Sequence, residues 1–200
     1  MIGTFVETLF IRVYTLLKLN LIFVICTGIG GLILGIGPAV LVVTKLFFEA
    51  GWHPELITYQ KTKEVFKVSF KRGNFLFYGY GVVFGMLTYN LYLALQLMYT
   101  WAFVLSFILI FVSVCCIINY VYAILLESKY EMALKHLIKL AFILFFIKGK
   151  ITLVLIFWTA LVGGLHFYYP VLTLVFVSLL VSGWVGLSKT TIVDIEEILE

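Results

Sequence analysis

Charge is what this sequence has least of. Its 200 residues include 14 Lys and Arg and 10 Asp and Glu, only 12% of the chain, whereas apolar side chains make up 64% and the mean hydropathy is +1.16. Soluble domains run at about 25% charged, so a surface exposed to water cannot be built from this composition. Proline occurs three times, which excludes a proline-rich disordered chain, and three cysteines are too few for a disulfide scaffold. What remains is an all-α, polytopic helical protein of the cell membrane, in one integral membrane domain over residues 1–200.

The charge-free runs locate its spans. No Asp, Glu, Lys or Arg occurs from Leu19 to Thr44, from Gly73 to Leu126 or from Ile151 to Ser188. A helix needs about 20 apolar residues to cross the hydrocarbon. The second run therefore holds a helical hairpin over 75–126, with spans at 75–97 and 101–126 and a turn near Gln96 to Trp101. The third holds another over 150–188, with spans at 150–168 and 170–188 and a turn at His166 to Pro170. These are four clear transmembrane helices.

The first run, within a segment 19–48, is broken by Gly28, Gly30, Gly31, Gly35, Gly37 and Pro38. Either one helix crosses from about Leu19 to Ile36, or two short helices meet at the glycines in a re-entrant hairpin; broken helices at membrane depth need shelter from other helices. Six basic residues lie in 45–72 and five in 127–150, with none in the turns near 98 and 168. The positive-inside rule then puts both basic segments and the C-terminus in the cytoplasm and both turns outside. A cleaved signal peptide fits residues 1–37 poorly, because the charged part is long and no small-residue cleavage pattern follows.

Three segments are amphipathic and belong at the cytoplasmic face. Residues 4–18 set Phe5, Leu9, Phe10 and Val13 against Thr4, Thr8 and Arg12. In 59–72, Lys63, Lys67 and Lys71 recur every four residues with Tyr59, Phe66 and Phe70 on another face. This stripe is either the topological charge of an inner loop or a contact for anionic lipid. In 127–147, Glu131 and Lys135 stand at i, i+4, and an acidic tail follows the last span at 189–200.

The spans carry no catalytic constellation, so no enzyme activity, cofactor or metal is expected. His53, His136 and His166 have no paired ligand at helical spacing, Cys115 and Cys116 diverge on a helix, and Cys26 stands alone. Gly28-Ile29-Gly30-Gly31 lacks the Lys-Ser or Lys-Thr of a phosphate loop. Asn90, Gln96, Asn119 and His166 are the only strongly polar intramembrane groups. Proton-coupled transport calls for a buried acid and voltage sensing for a row of arginines, and the spans supply neither. No basic-aromatic surface suits nucleic acid. Helix-packing positions are plentiful instead: Gly31 and Gly35, Gly81 and Gly85, then Ser178, Ser182, Gly186 and Thr190 are small residues four apart.

From Tyr14 to Tyr80 the chain resembles the YesL-like family of bacterial membrane proteins, a domain of unknown function. The resemblance is carried by Leu19-Asn20-Leu21, Gly30-Gly31, Leu34-Gly35-Ile36-Gly37-Pro38-Ala39, Phe66, Phe70-Lys71 and Asn74. It implies a helical protein of four to five spans, often encoded beside ABC-type carbohydrate importers, with no established catalytic residues. It singles out Asn20, Gly35, Gly37, Pro38, Phe66, Phe70 and Asn74. Physically, Pro38 suits the first turn of a helix to Glu49, Asn20 the backbone groups freed by the glycines, and Asn74 the cap of the next span.

These observations lead to the expectation of a non-enzymatic integral membrane accessory protein. It would contact membrane lipids and pack against the permease of an ABC-type carbohydrate importer, or against itself, and modulate or stabilise the complex. Two alternatives stand beside it: a small stand-alone transporter or channel lined by the broken segment, and an accessory factor in cell-envelope polysaccharide assembly.

Overall fold

The computed structural model describes residues 2–97 and 99–199 and contains no strand among them. Its helices are α1 (Ile2–Ile29), α2 (Ile36–Ala50), α3 (Tyr59–Gln96), α4 (Thr100–Lys129), α5 (Leu134–Ile147), α6 (Gly149–Tyr168) and α7 (Phe176–Leu199). Short 3-10 turns stand at Leu32–Gly35, Pro54–Leu56 and Pro170–Leu174. The chain is thus a polytopic helical protein, and four stretches are long and apolar enough to cross a bilayer: Gly3–Ile29, Leu32–Ala50, Thr100–Lys129 and Gly149–Tyr168.

That set differs from the expected one. Expected spans 101–126 and 150–168 fall in α4 and α6, while 75–97 lies in the less apolar second half of α3 and 170–188 is shared between a 3-10 turn and α7; the two arms of the first segment are each long and apolar enough to cross instead. Tyr78, Tyr80, Tyr89, Asn90 and Tyr92 dilute the apolar character of α3. The Pro170–Leu174 turn takes the first residues of the last run and leaves a shorter apolar stretch, Phe176–Lys189. The tail at 189–199 continues α7 as helix, and Glu200 lies outside the described residues.

Of the two readings of the first segment, the chain adopts two helices that meet at the glycines. Residues 4–18 and the apolar stretch after them form one helix without a break. It ends where Gly30 N–H reaches Cys26 O at 3.0 Å, and the chain reverses through Gly31 at φ 81° and Leu32 at φ 58°. A side chain on Gly30 would run into the Gly35 backbone, and one on Gly35 into Thr27. These two glycines let the arms of the hairpin close. Pro38 sits in the first turn of α2, where its missing N–H has no helical partner to lose.

α3 joins the basic stripe and the following apolar segment in one helix of 38 residues. The chain offers no proline between them, and Thr58 Oγ1 accepts from Lys61 N at 3.4 Å to cap the start. Asn74 therefore lies inside a helix and caps nothing. Glu131 lies in the link between α4 and α5, so it has no helical spacing to Lys135.

The core sits where α2, the first half of α3, the end of α4 and α7 meet, around Val42, Leu46, Leu76, Tyr122, Leu126 and Val181. Between helices in lipid the hydrophobic gain is small, so close packing and hydrogen bonds hold such a core. Thr152 fastens the α5–α6 turn to α4: its hydroxyl donates to Phe145 O at 3.0 Å, leaving the Tyr122 hydroxyl to donate to Thr152 Oγ1 at 3.0 Å. At the α6–α7 crossing the Trp158 ring covers Gly183, and Trp184 Nε1 donates to Thr159 Oγ1 at 3.0 Å. The other half of the α3–α4 hairpin is bare: no described residue from Gly79 to Leu93, or from Phe107 to Ile117, is buried.

One connection lies at an unexpected end. Asn20 Nδ2 donates to Thr173 O at 3.1 Å, and Lys18 Nζ donates to Pro54 O at 2.7 Å. Two positions on α1 are about 3 Å apart along the helix axis, so the turn at 170–174 lies level with the loop at 51–58. The sequence reading had these two on opposite sides of the bilayer. Short α5 turns back along α4 before α6 begins, with Thr152 in the first turn of α6 bonded to Tyr122 of α4, and this extra reversal brings the far end of α6 to the 51–58 level. Asn20 accordingly serves this turn and not the glycine break.

Candidate functional site

The positions singled out by sequence converge on the α2–α3 crossing. A Cβ on Gly37 would stand 2.6 Å from Gly73 O and 2.7 Å from Phe77 Cβ; one on Gly73 would stand 2.7 Å from Pro38 Cα. Gly37, Pro38 and Gly73 thus bring two helix backbones into direct contact. Asn74, the next residue, holds Oδ1 in a buried place without a hydrogen-bond partner. Phe66 and Phe70 stack edge to face one and two turns earlier on α3, ring centres 5.6 Å apart. The structure therefore joins Gly37, Pro38 and Asn74 in one crossing and places Asn20, with Thr173, elsewhere.

Beside that crossing is a charged group which the sequence reading missed. Glu127, near the end of α4, has a side chain only 5% exposed, and its Oε1 lies 2.8 Å from Arg72 Nε of α3. Arg72 also donates from its terminal nitrogen to Met132 O in the α4–α5 link, and Lys45 of α2 adds a second positive charge on the carboxylate's side. The second carboxylate oxygen has no hydrogen-bond partner. The expectation that the protein lacks a buried acid is corrected by this residue, which had been counted among the charges of an inner loop. Its position was legible in one respect: Arg72 and Glu127 are the charges that bracket the uncharged run Gly73 to Leu126, and a hairpin brings its two ends together.

Arg72, Glu127 and Lys45 tie α3, α4, α2 and the link to α5 into one electrostatic knot. No nucleophile with an adjacent base accompanies them, and among the described residues no group of three His, Cys, Asp or Glu could hold a metal. Further along, Tyr80 OH donates to Asn119 Oδ1 at 2.8 Å across the hairpin. This pair lines an apolar groove of about 830 Å³ between α3, α4 and α5, with Cys115, Cys116, Lys135 and Lys139 also in its wall.

The small-residue positions divide into two kinds. Ser178 and Ser182 are buried and bond Val175 O and Leu179 O, at 2.9 and 3.0 Å. Gly81, Gly85 and Gly186 are exposed, with no atom within 4 Å of a Cβ built on them. Thr190 lies outside the residues whose side chains are described.

Residues 16–91 match the profile of a family described as a protein of unknown function, DUF624. The matched region begins in α1 and ends in α3, and so contains the second half of α1, the glycine turn, all of α2, Gly37, Pro38, Gly73 and Arg72 but not Glu127. No curated protein and no solved structure matches the chain.

Proposed function

We propose that this is a non-enzymatic accessory protein of the cell membrane, of YesL-like kind, that packs against another integral membrane protein. The permease of an ABC-type carbohydrate importer is the partner to which the sequence resemblance points.

The observation that carries the reading is the bare half of the α3–α4 hairpin, where Gly81 and Gly85 form a shallow strip between exposed Val82, Met86 and Tyr89. Glycines four apart let a second helix approach closely. Among the described residues nothing packs against them. Pull-down of the tagged protein from cross-linked native membranes is expected to carry the permease, and Gly81→Leu with Gly85→Leu to reduce its recovery about tenfold, a loss near 1.4 kcal/mol. Absence of the permease from the native pull-down, with uptake unchanged in a deletion strain, would overturn the reading.

A further inference from the structure

The basic stripe of α3 is divided by the fold. Lys63 and Lys67, with Lys18 of α1, line a slot of about 420 Å³ between α1 and the start of α3, whereas Lys71 does not reach it. The rest of the wall is mostly apolar, with Leu21, Ile22, Ile25 and Ile29 along α1 and Ile57 and Phe66 opposite, and Thr58, Tyr59 and Thr62 supply its other polar groups at the start of α3. On α1 the slot's single cation, Lys18, precedes the apolar residues; Lys63 and Lys67 stand about 6 and 12 Å beyond Tyr59 on α3, and their long side chains can reach back towards Lys18. From Lys18 to Ile29 the helix rises about 16 Å, close to half the roughly 30 Å hydrocarbon thickness, which is the depth one acyl chain occupies in one leaflet.

The rim has cations to spare. Lys18 Nζ is held in place by Pro54 O at 2.7 Å. Lys63 and Lys67 make no ion pair among the described residues, and the nearby acids are engaged elsewhere: Glu49 with Lys61, Glu64 with Gln60, and Glu55 with His53 although it also lies near Lys18. A ligand for this slot needs a negative head and an apolar tail. We infer that it binds one anionic glycerophospholipid, with the phosphate at Lys63 and Lys67 and one acyl chain laid along α1 towards Ile29. Zwitterionic lipid lacks the net charge for the rim, and free phosphate leaves the apolar wall unfilled.

Native mass spectrometry of the purified full chain tests this, with phosphatidylglycerol, phosphatidylcholine of the same chains and inorganic phosphate as probes. One phosphatidylglycerol is expected to be retained in preference to phosphatidylcholine. Lys63 and Lys67 are exposed, so Lys63→Gln with Lys67→Gln leaves the fold intact; it is expected to weaken that binding about 30-fold, from roughly 1 kcal/mol per basic residue near an anionic lipid. Lys71→Gln removes one charge from the same stripe outside the slot and is expected to change it less than about twofold, against about fivefold for Lys63→Gln or Lys67→Gln alone. Ile25→Trp, which fills the slot without altering charge, is expected to displace the lipid. Equal loss with Lys71→Gln, equal retention of phosphatidylcholine, or inorganic phosphate bound as tightly as the lipid would each overturn the assignment.

Discussion

Replacing Gly37 by alanine is expected to destabilise the protein by about 1–3 kcal/mol, the usual cost of overpacking a close contact, and replacing Gly73 by alanine to do the same. The warrant is distance. A methyl group on Gly37 would stand 2.6 Å from a backbone oxygen of α3, and one on Gly73 2.7 Å from a backbone carbon of α2. Neither obstacle is a side chain that can swing away, so the helices must separate. Separation weakens dispersion contacts along the crossing, and in lipid those contacts are most of what holds two helices together. Because both residues serve one contact, the double variant is expected to cost less than the sum of the singles. Gly81→Ala supplies the contrast: with open space around it, the change should stay within about 0.5 kcal/mol. Unfolding titrations of the purified protein in mixed micelles measure all four variants. A Gly37→Ala protein as stable as the native one would show that the crossing is not a structural keystone.

Removing Arg72 is expected to cost still more, about 3–5 kcal/mol, because Arg72→Ala leaves the Glu127 carboxylate buried with its closest counter-charge gone. Glu127→Ala should be milder. Its abandoned partner is 34% exposed and still has Met132 O, so the guanidinium can keep a hydrogen bond and reach solvent. Exchanging both for apolar residues of similar volume, Arg72→Met with Glu127→Leu, removes the charges together and is expected to cost less than Arg72→Ala alone. The order of these three variants in the same titration is the result of interest. If the double exchange proved the worst, the pair would be a net source of stability and the argument from desolvation would fail.

How far the sequence reveals this structure depends on the distance over which each feature is decided. Charge-free runs mark where helices lie, and the α3–α4 turn and α6 follow from them almost residue for residue. The same runs do not mark where helices begin: Lys63, Lys67 and Lys71 read as a separate surface helix, yet no proline parts them from the apolar stretch and α3 passes through without interruption. The glycines at 28–37 announce a break, but its shape depends on Gly30 meeting Gly35 and on Gly37 meeting Gly73, and the latter partner is 36 positions away. Asn20 and Thr173 are farther apart still. A polar residue at a helix face advertises that it needs a partner and says nothing about which one, so the turn before α7 was placed at the wrong end. Glu127 was hidden for a different reason: a carboxylate beside lysines reads as solvated until the fold brings α2 and α3 over it.

The continuity of α3 also has a mechanical side. At 1.5 Å per residue its 38 residues measure about 57 Å, and the closest backbone contact along that length is at Gly73, with 14 residues on one side and 23 on the other. The buried residues Thr62, Ser69, Gly73 and Leu76 all lie in the half near Tyr59, so the rod is clamped over that half. The other half runs on to Gln96 beside its hairpin partner α4, where Ala94, Ala102 and Ser106 are buried at the turn. A load applied at the bare end of the hairpin is therefore carried back to the Gly37–Gly73 crossing over a beam of about 35 Å.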